Sequence, residues 1–329
     1  MRLPPFDYMA PESLEQAVKI KRDMGTSALV LAGGTDLIPN LKNRLFAPAA
    51  LISLKNIEQL KNIDSKQDSL VIGAAASLAS IAAHPTVNEH FPILVKAVQS
   101  IGAMGIQWFR GTLGGNVCCQ PRCLFYNQSQ FWRIGKGSCH RTGGKECHAL
   151  EGSESCQSIC SGDTVPVLLA LSAQVGLAST NGRRLAPLSE FYTGKGESPF
   201  NIMPEEILTE IRIPLPWTPI GWSYQRIAAR EAVDFPLANA AAVSMIDKGR
   251  IDYFRLVLSA IGPAPIMVKE VQNLIKGSEP NLELPARSEE MALRAAEGVV
   301  VGNASASKEY RLAVAGVMAR RAVQEALQL

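Results

Sequence analysis

Cysteine is absent from most of this sequence, because all seven cysteines fall between Cys118 and Cys160. An odd number of clustered thiols argues against a disulfide framework. The N-terminus carries prolines and Asp7 where a secretion signal would have an apolar run. No apolar run reaches the roughly 18 residues of a membrane span. We therefore expect a cytoplasmic protein that is neither secreted nor inserted in a membrane.

The chain also lacks a large excess of positive or negative charge. The chain has 33 basic and 30 acidic residues, which give a net charge of +3. Nucleic-acid binding needs a strongly clustered positive field, so we expect no nucleic-acid partner. The 329 residues, 47% of them hydrophobic and 19% charged, are typical of a soluble globular chain with two or three domains.

Recognisable catalytic motifs are missing as well. Only four histidines occur, and no Ser/His/Asp set or paired-carboxylate motif is visible. We therefore assign no catalytic side chain, neither acid nor base. If the protein takes part in a reaction, bound cofactors would carry the chemistry and the protein would position them and tune their potentials.

Two glycine-rich loops are present. Gly33-Gly34-Thr35-Asp36 lies between an apolar strand and a helical stretch, and a second loop runs from Gly111 to Asn116. Glycine admits positive φ and close approach of a phosphate to backbone N–H groups. Neither loop matches G-x-G-x-x-G or a P-loop, and either alone is more often a plain turn. Together they suit a dinucleotide, which has two phosphates.

The cysteine spacing indicates a metal site but leaves its type open. There is no C-x-x-C pair, so the commonest zinc-ribbon pattern and the bacterial ferredoxin pattern are both missing. Four thiolates are enough for a cubane cluster. His140 and His148 each follow a cysteine, so a mixed Cys/His zinc site is equally compatible with the spacing.

A proline-rich stretch divides the chain. Pro214, Pro216 and Pro219 mark a linker. Beyond it, the pattern predicts three strands and then two closing helices, with strands at Gly221–Ile227, Ala240–Ile246 and Ile251–Ser259 and helices at about Ser288–Val300 and Ser307–Ala326.

Several stretches, in this order, resemble the FAD-binding subunit of the molybdenum hydroxylases, the family of xanthine dehydrogenase and CO dehydrogenase medium subunits. They are AGGTDL from Ala32, RGTLGGN from Arg110, SGDTVPVLLALSAQV from Ser161, EILTEIRIP from Glu206, REAVDF from Arg230 and ASKEYR from Ala306. The resemblance covers nearly the whole chain. It implies an α+β fold with a two-subdomain PCMH-type FAD-binding domain at 1–216, divided into about 1–58 and 59–216. A CO dehydrogenase flavoprotein-like C-terminal domain at 217–329 would follow, with a three-stranded antiparallel sheet and helices.

The resemblance also assigns the FAD contacts. Asp163 would reach the ribose region, and Arg226 would stand where the family often has a lysine, a replacement that is not neutral. The pyrophosphate would be wrapped from one side by Leu29, Val30, Leu31, Ala32, Gly33, Gly34, Thr35 and Asp36, and from the other by Thr112, Gly115 and Asn116.

Most members of this family lack cysteines after the second glycine loop. The insertion here, at about 118–160, resembles that of the β subunit of 4-hydroxybenzoyl-CoA reductase, which carries a 4Fe–4S cluster; RCLFYNQ from Arg122 fits its pattern. Cys118 has a family counterpart that is not a ligand, whereas Cys119 and Cys160 look peculiar to this chain. The resemblance implies 4Fe–4S ligation by Cys123, Cys139, Cys147 and Cys156.

The implied function is that of an electron-transfer subunit with FAD and 4Fe–4S. Its partners would be a small 2Fe–2S subunit and a large molybdopterin subunit, in a dimer of heterotrimers, with ferredoxin as electron donor. The reaction would be the reductive dehydroxylation of 4-hydroxybenzoyl-CoA to benzoyl-CoA, and it would take place on a partner subunit. Two alternatives stay open: a flavin subunit of another molybdenum hydroxylase that oxidises an N-heterocycle or aldehyde, and a zinc-stabilised binding module.

Overall fold

A computed structural model describes residues 2–216, 219–230, 232–303 and 305–329 of the chain. The predicted start of the C-terminal domain at residue 217 lies outside the described residues, and so does Glu231 of the REAVDF stretch.

The N-terminal part forms a small parallel sheet. Parallel neighbours need a crossover connection, commonly a helix, and α1 (Leu14–Met24), which Ser13 caps through its side chain, leads from β1 to β2. A second helix, α2 (Leu37–Lys42), follows the first glycine loop and leads to β3. The strands pair in the order β1-β3-β2, with bounds β1 Asp7–Met9, β2 Ala28–Leu31 and β3 Ala50–Ser53.

The second subdomain is built on a five-stranded antiparallel sheet of order β4-β5-β8-β6-β7. A hairpin turn at Asn181-Gly182 joins β6 and β7. The strands are β4 Ile63–Ser65, β5 Ser69–Gly73, β6 Gln174–Ser179, β7 Gly182–Pro187 and β8 Ile207–Pro214. The helices are α3 Leu78–Ala83, α4 Pro85–His90, α5 Pro92–Gln99, α6 Gln107–Arg110, α7 Leu113–Val117, α8 Gln130–Lys136 and α9 Val165–Ala170.

The C-terminal part is an antiparallel sheet covered by helices, as expected, but the described residues form four strands rather than three. The additional strand pairs with the edge of the sheet through only two residues, which is too short to leave a periodic pattern. The strands are β9 Ile220–Ile227, β10 Ala238–Asp247, β11 Arg250–Ser259 and β12 Ile266–Met267; the helices are α10 Lys269–Ile275, α11 Leu284–Glu297 and α12 Lys308–Ala326.

Both faces of this sheet are buried, and this joins the two halves of the protein. In β10, Ala240 and Ala242 belong to the core beneath α11 and α12. The alternate residues Ala241 and Val243 belong to the core of the second subdomain. Alternation of side chains along a strand produces these two faces. Among the described residues, no helix is long and apolar enough to cross a membrane.

Arg311 of α12 is buried, with 2% of its surface exposed. Its Nη1 donates to the carbonyl oxygens of Leu237 at 2.6 Å and Ala260 at 2.8 Å. The two acceptors lie just before the start of β10 and just after the end of β11, so one guanidinium holds the last helix against the ends of both strands.

We expect Arg311→Ala to lower the free energy of unfolding by about 3 kcal/mol, since two buried carbonyls lose a charged donor. Chemical denaturation followed by circular dichroism measures the change. The exposed Arg321 of the same helix is the matched control, and Arg321→Ala should stay within about 0.5 kcal/mol of the parent. Equal effects of both substitutions would contradict this role of Arg311.

Candidate functional site

The two predicted glycine loops touch each other. A Cβ atom built on Gly33 would lie 1.8 Å from the carbonyl oxygen of Arg110 and 3.0 Å from the Cα of Gly111. No side chain fits in that space, so glycine at position 33 is what allows the small parallel sheet to meet the second subdomain here.

A cleft opens between the loops, with a cavity of about 300 Å³. This is the lower end of the volume range of small-molecule sites. Among the residues that the structure describes, four carboxylates line it, and each is paired with an arginine: Asp36 with Arg122, Asp163 with Arg226, Glu206 with Arg184 and Asp234 with Arg230. The pairing prevents an uncompensated negative field that would repel a phosphate.

The second glycine loop is held rigidly by its own side chains. Thr112 caps α7 by accepting a hydrogen bond from the backbone N–H of Gly115 at 3.1 Å. The side-chain oxygen of Asn116 accepts from the backbone and the hydroxyl of Thr164, at 3.1 and 2.6 Å. This ties the loop to the turn that carries Asp163, so the wall of the cleft is formed before any ligand arrives.

Asp163 is buried at the base of this wall, with 4% of its surface exposed. Its Oδ1 accepts from Arg226 Nε at 2.8 Å and from Tyr224 Oη at 3.1 Å. Burial raises the pKa of the Asp163 carboxyl, and the charge and hydrogen bond of Arg226 oppose that rise. Arg226 also donates to the carbonyl oxygen of Asp234 at 2.6 Å, so it positions two residues that line the cleft.

Most of the predicted FAD contacts come together in this cleft. Among the described residues, the lining does not include Leu29, Leu31 or Arg226. All the predicted FAD contacts, of residues inside and outside this lining, stay predictions. The predicted residues that do line it are Val30, Ala32, Gly33, Gly34, Thr35, Asp36, Thr112, Gly115, Asn116 and Asp163.

Part of the rim of the cleft was not predicted from the sequence. Val233, Asp234 and Phe235 line the cleft from the C-terminal half, and Val233 N donates to Gly102 O at 3.0 Å. Val233 has φ of +54°, which is strained for a β-branched residue. The REAVDF stretch contains these residues, but it served only to carry the family resemblance and was not assigned to the cleft.

The four predicted cysteine ligands line one small pocket of the insertion. Its wall also contains the aromatic residues Phe125 and Tyr126 and the two histidines His140 and His148. Burial raises the pKa of the Cys123 and Cys156 thiols. All seven cysteines are free thiols. The pocket is lined by Cys123, Phe125, Tyr126, Cys139, His140, Glu146, Cys147, His148 and Cys156.

The described side chains of this pocket do not have the geometry of a site for a single metal ion. Among the described residues, no three Cys, His, Asp or Glu side chains converge closely enough to hold a single metal ion. A tetrahedral zinc with Zn–S bonds of about 2.3 Å would bring its sulfurs to about 3.8 Å from one another. A polynuclear cluster binds each thiolate through a different metal atom, so its ligands stand further apart.

The three remaining cysteines lie elsewhere. Cys118 and Cys119 line the cleft between the glycine loops, and Cys160 is buried. Burial raises the pKa of Cys118 to about 12 and that of Cys160 to about 11. These three cysteines lie outside the pocket that the four predicted ligands share.

Comparison with known families shows what kind of protein has this arrangement. The FAD binding domain in molybdopterin dehydrogenase matches residues 4–216, and the CO dehydrogenase flavoprotein C-terminal domain matches residues 223–326. The chain therefore belongs to the family of FAD-binding molybdopterin dehydrogenase subunits, which are oxidoreductases.

Relatives and solved structures cover the whole chain. The CO dehydrogenase medium chain of Afipia carboxidovorans is 29% identical to this chain, over 98% of this chain and 96% of that protein. The caffeine dehydrogenase subunit beta of a Pseudomonas strain is 27% identical, over 98% of this chain and 94% of that protein. Reconstituted CO dehydrogenase from Oligotropha carboxidovorans matches with a TM-score of 0.82 at 26% identity, over 100% of this chain and 99% of that one. Quinoline 2-oxidoreductase from Pseudomonas putida 86 matches with a TM-score of 0.78 at 25% identity, over 100% of this chain and 99% of that one.

More particularly, the chain is a FAD-binding medium subunit of the xanthine dehydrogenase and CO dehydrogenase type.

We expect Gly33→Ala to weaken FAD binding at least tenfold, or about 1.4 kcal/mol, because the new methyl group would push the first loop away from Arg110. Titration of the flavin-free chain with FAD, followed by flavin fluorescence, measures the dissociation constant. Gly298→Ala is the control, since nothing lies within 4 Å of a Cβ there. Unchanged affinity in Gly33→Ala would show that the contact of the loops is not needed for binding.

Proposed function

We propose that the chain is the FAD- and 4Fe–4S-containing electron-transfer subunit of a molybdenum hydroxylase complex of the 4-hydroxybenzoyl-CoA reductase type. The observation that carries the proposal is the shared pocket of Cys123, Cys139, Cys147 and Cys156, in an insertion that borders the FAD cleft. The relatives supply the flavin part of the proposal, and the pocket supplies the second redox centre.

The arrangement of donors favours a cluster over zinc. Four cysteines line the pocket without converging on one ion, which suits a group with several metal atoms. The two pocket histidines are engaged by main-chain oxygens: His140 Nε2 lies 3.0 Å from Ser153 O, and His148 Nε2 lies 3.2 Å from Gly137 O. A histidine that binds zinc through Nδ1 keeps a hydrogen bond from Nε2 to a carbonyl oxygen, so these contacts alone do not separate zinc from a cluster.

The pocket and the cleft are neighbours along the chain. Arg122 lines the cleft, and Cys123, the next residue, lines the pocket. On the other side of the pocket, the ring of Phe125 lies 6.2 Å from that of Trp132 in α8. Two redox groups held this way would be close to each other, and one of them would be close to the surface of the insertion.

The residues of the cleft bind and orient the flavin in this proposal. Bound FAD accepts and releases electrons singly or in pairs. The backbone of Val30, Ala32–Asp36, Thr112, Gly115 and Asn116 would hold the pyrophosphate, with Leu29 and Leu31 of β2 supporting the first loop. Asp163 would accept a hydrogen bond from the ribose region, and the hydrogen bond from Arg226 orients that carboxylate.

The proposed partners are a small 2Fe–2S subunit, a large molybdopterin subunit and ferredoxin, in a dimer of heterotrimers. Relatives with names such as nicotine 6-hydroxylase medium subunit support the multi-subunit arrangement. Between residues 120 and 145 the chain has no acidic residue, and Lys136 and Lys145 are exposed. A positive surface of this kind would favour the approach of an acidic carrier such as ferredoxin.

A second function has support from the relatives. Those at 25–29% identity are named for CO, caffeine, nicotine and xanthine, which favours a flavin subunit of a complex that oxidises an N-heterocycle or a small substrate. Turnover by the native complex separates the two. Reduction of 4-hydroxybenzoyl-CoA with reduced ferredoxin supports the first proposal, and oxidation of an N-heterocycle or aldehyde without that reaction supports the second.

We expect Cys139→Ser and Cys147→Ser each to remove iron from the purified chain while FAD still binds at saturating concentration, because each loses one of four cluster ligands. Iron, zinc, sulfide and flavin analysis, together with the visible spectrum before and after dithionite, measures the outcome.

Cys160→Ala is the matched control and should keep its iron, since Cys160 is a buried thiol outside the pocket. Stoichiometric iron in both serine variants would rule out the proposed ligand set. A colourless protein that contains zinc would rule out the redox proposal and support the zinc-stabilised module instead.

A further inference from the structure

One arginine of the cysteine insertion reaches into the flavin cleft. Among the described residues that line the cleft, Arg122 is the one cationic side chain. Its Nη2 lies 2.5 Å from Asp36 Oδ1, and the backbone N–H of Gln120 donates to Asp36 Oδ2 at 3.2 Å. Two residues of the insertion, Gln120 and Arg122, thus both hold the Asp36 carboxylate of the first glycine loop.

The same guanidinium has further capacity for binding. Its central carbon lies 4.7 Å from the centre of the Phe235 ring, another residue of the cleft, so its plane is supported from the C-terminal half. Its Nε is buried and has no hydrogen-bond partner among the described residues. A buried donor without a partner is unfavourable, and this one belongs to a side chain that faces a cleft for an anionic dinucleotide.

The backbone of Arg122 is fixed by the insertion itself. Its N–H donates to Ile159 O and its carbonyl accepts from Ile159 N, both at 2.7 Å. This bridge closes the two ends of the insertion on each other. The position of Arg122 therefore depends on how the insertion is folded, and Cys123 is the next residue along the chain.

We propose that Arg122 is a FAD-binding residue supplied by the insertion, and that it couples FAD affinity to occupancy of the cysteine pocket. The guanidinium keeps Asp36 neutralised and offers its free donors to the pyrophosphate of FAD, a charge-assisted contact that planar arginine suits. The coupling rests on the proposed cluster, because the cluster would order the segment that carries Arg122. Such coupling is reciprocal: loss of either group weakens the binding of the other.

The test uses the full chain and two variants, Arg122→Gln and Arg122→Lys. Flavin fluorescence titration should show FAD affinity at least tenfold weaker in Arg122→Gln and an intermediate loss in Arg122→Lys, which keeps the charge without the planar fork. Lys136→Gln, an exposed site in the same insertion, should keep the parental affinity. Parental affinity in both Arg122 variants, with thermal unfolding unchanged, would overturn the assignment.

A separate experiment tests the coupling between FAD affinity and occupancy of the cysteine pocket. Chelation of iron from the parent chain should weaken FAD binding at least threefold, whereas the same treatment should leave the affinity of Arg122→Gln unchanged. An equal effect of chelation in both proteins would overturn the coupling. If the purified chain holds no iron, the proposed cluster and the coupling fail, and the affinities of the Arg122 variants still decide whether this residue binds FAD.

Discussion

The close contact between Gly33 and the Arg110 carbonyl is the constraint on which the site depends. At this point the small parallel sheet and the second subdomain approach so closely that no Cβ fits. The contact brings two glycine loops, distant in the sequence, to either side of one cleft. It also sets the position of Asp36, which the insertion then binds through Gln120 and Arg122. A wider separation would remove both the flavin cleft and the anchor of the insertion.

The insertion begins and ends beside this cleft. It leaves the fold directly after the second glycine loop and returns just before Asp163, and its ends are closed by the paired backbones of Arg122 and Ile159. Both ends therefore border the cleft, while the cysteine pocket lies between them in the sequence. This arrangement would place a second redox group beside the flavin without disturbing the β-sheets.

Much of the fold was predictable because its signals are local. The apolar strands of the C-terminal half, the Asn181-Gly182 turn and the glycine loops all follow from residues close in sequence. Strand β12 was not predictable, because two residues carry no period and tertiary contacts alone decide its pairing. The same holds for Arg122 and Val233: each reaches the cleft through long-range contacts, with Asp36 and with Gly102. Ligation of iron by the four cysteines stays a prediction, which their shared pocket supports.

Diffraction data from crystals of the purified protein, collected on both sides of the iron absorption edge and of the zinc absorption edge, test the central claim most directly. The account predicts an anomalous peak that appears above the iron edge, lies between the sulfurs of Cys123, Cys139, Cys147 and Cys156, and is accompanied by flavin density between the two glycine loops. A peak that appears only above the zinc edge, or disulfide bonds among these four cysteines, would contradict it.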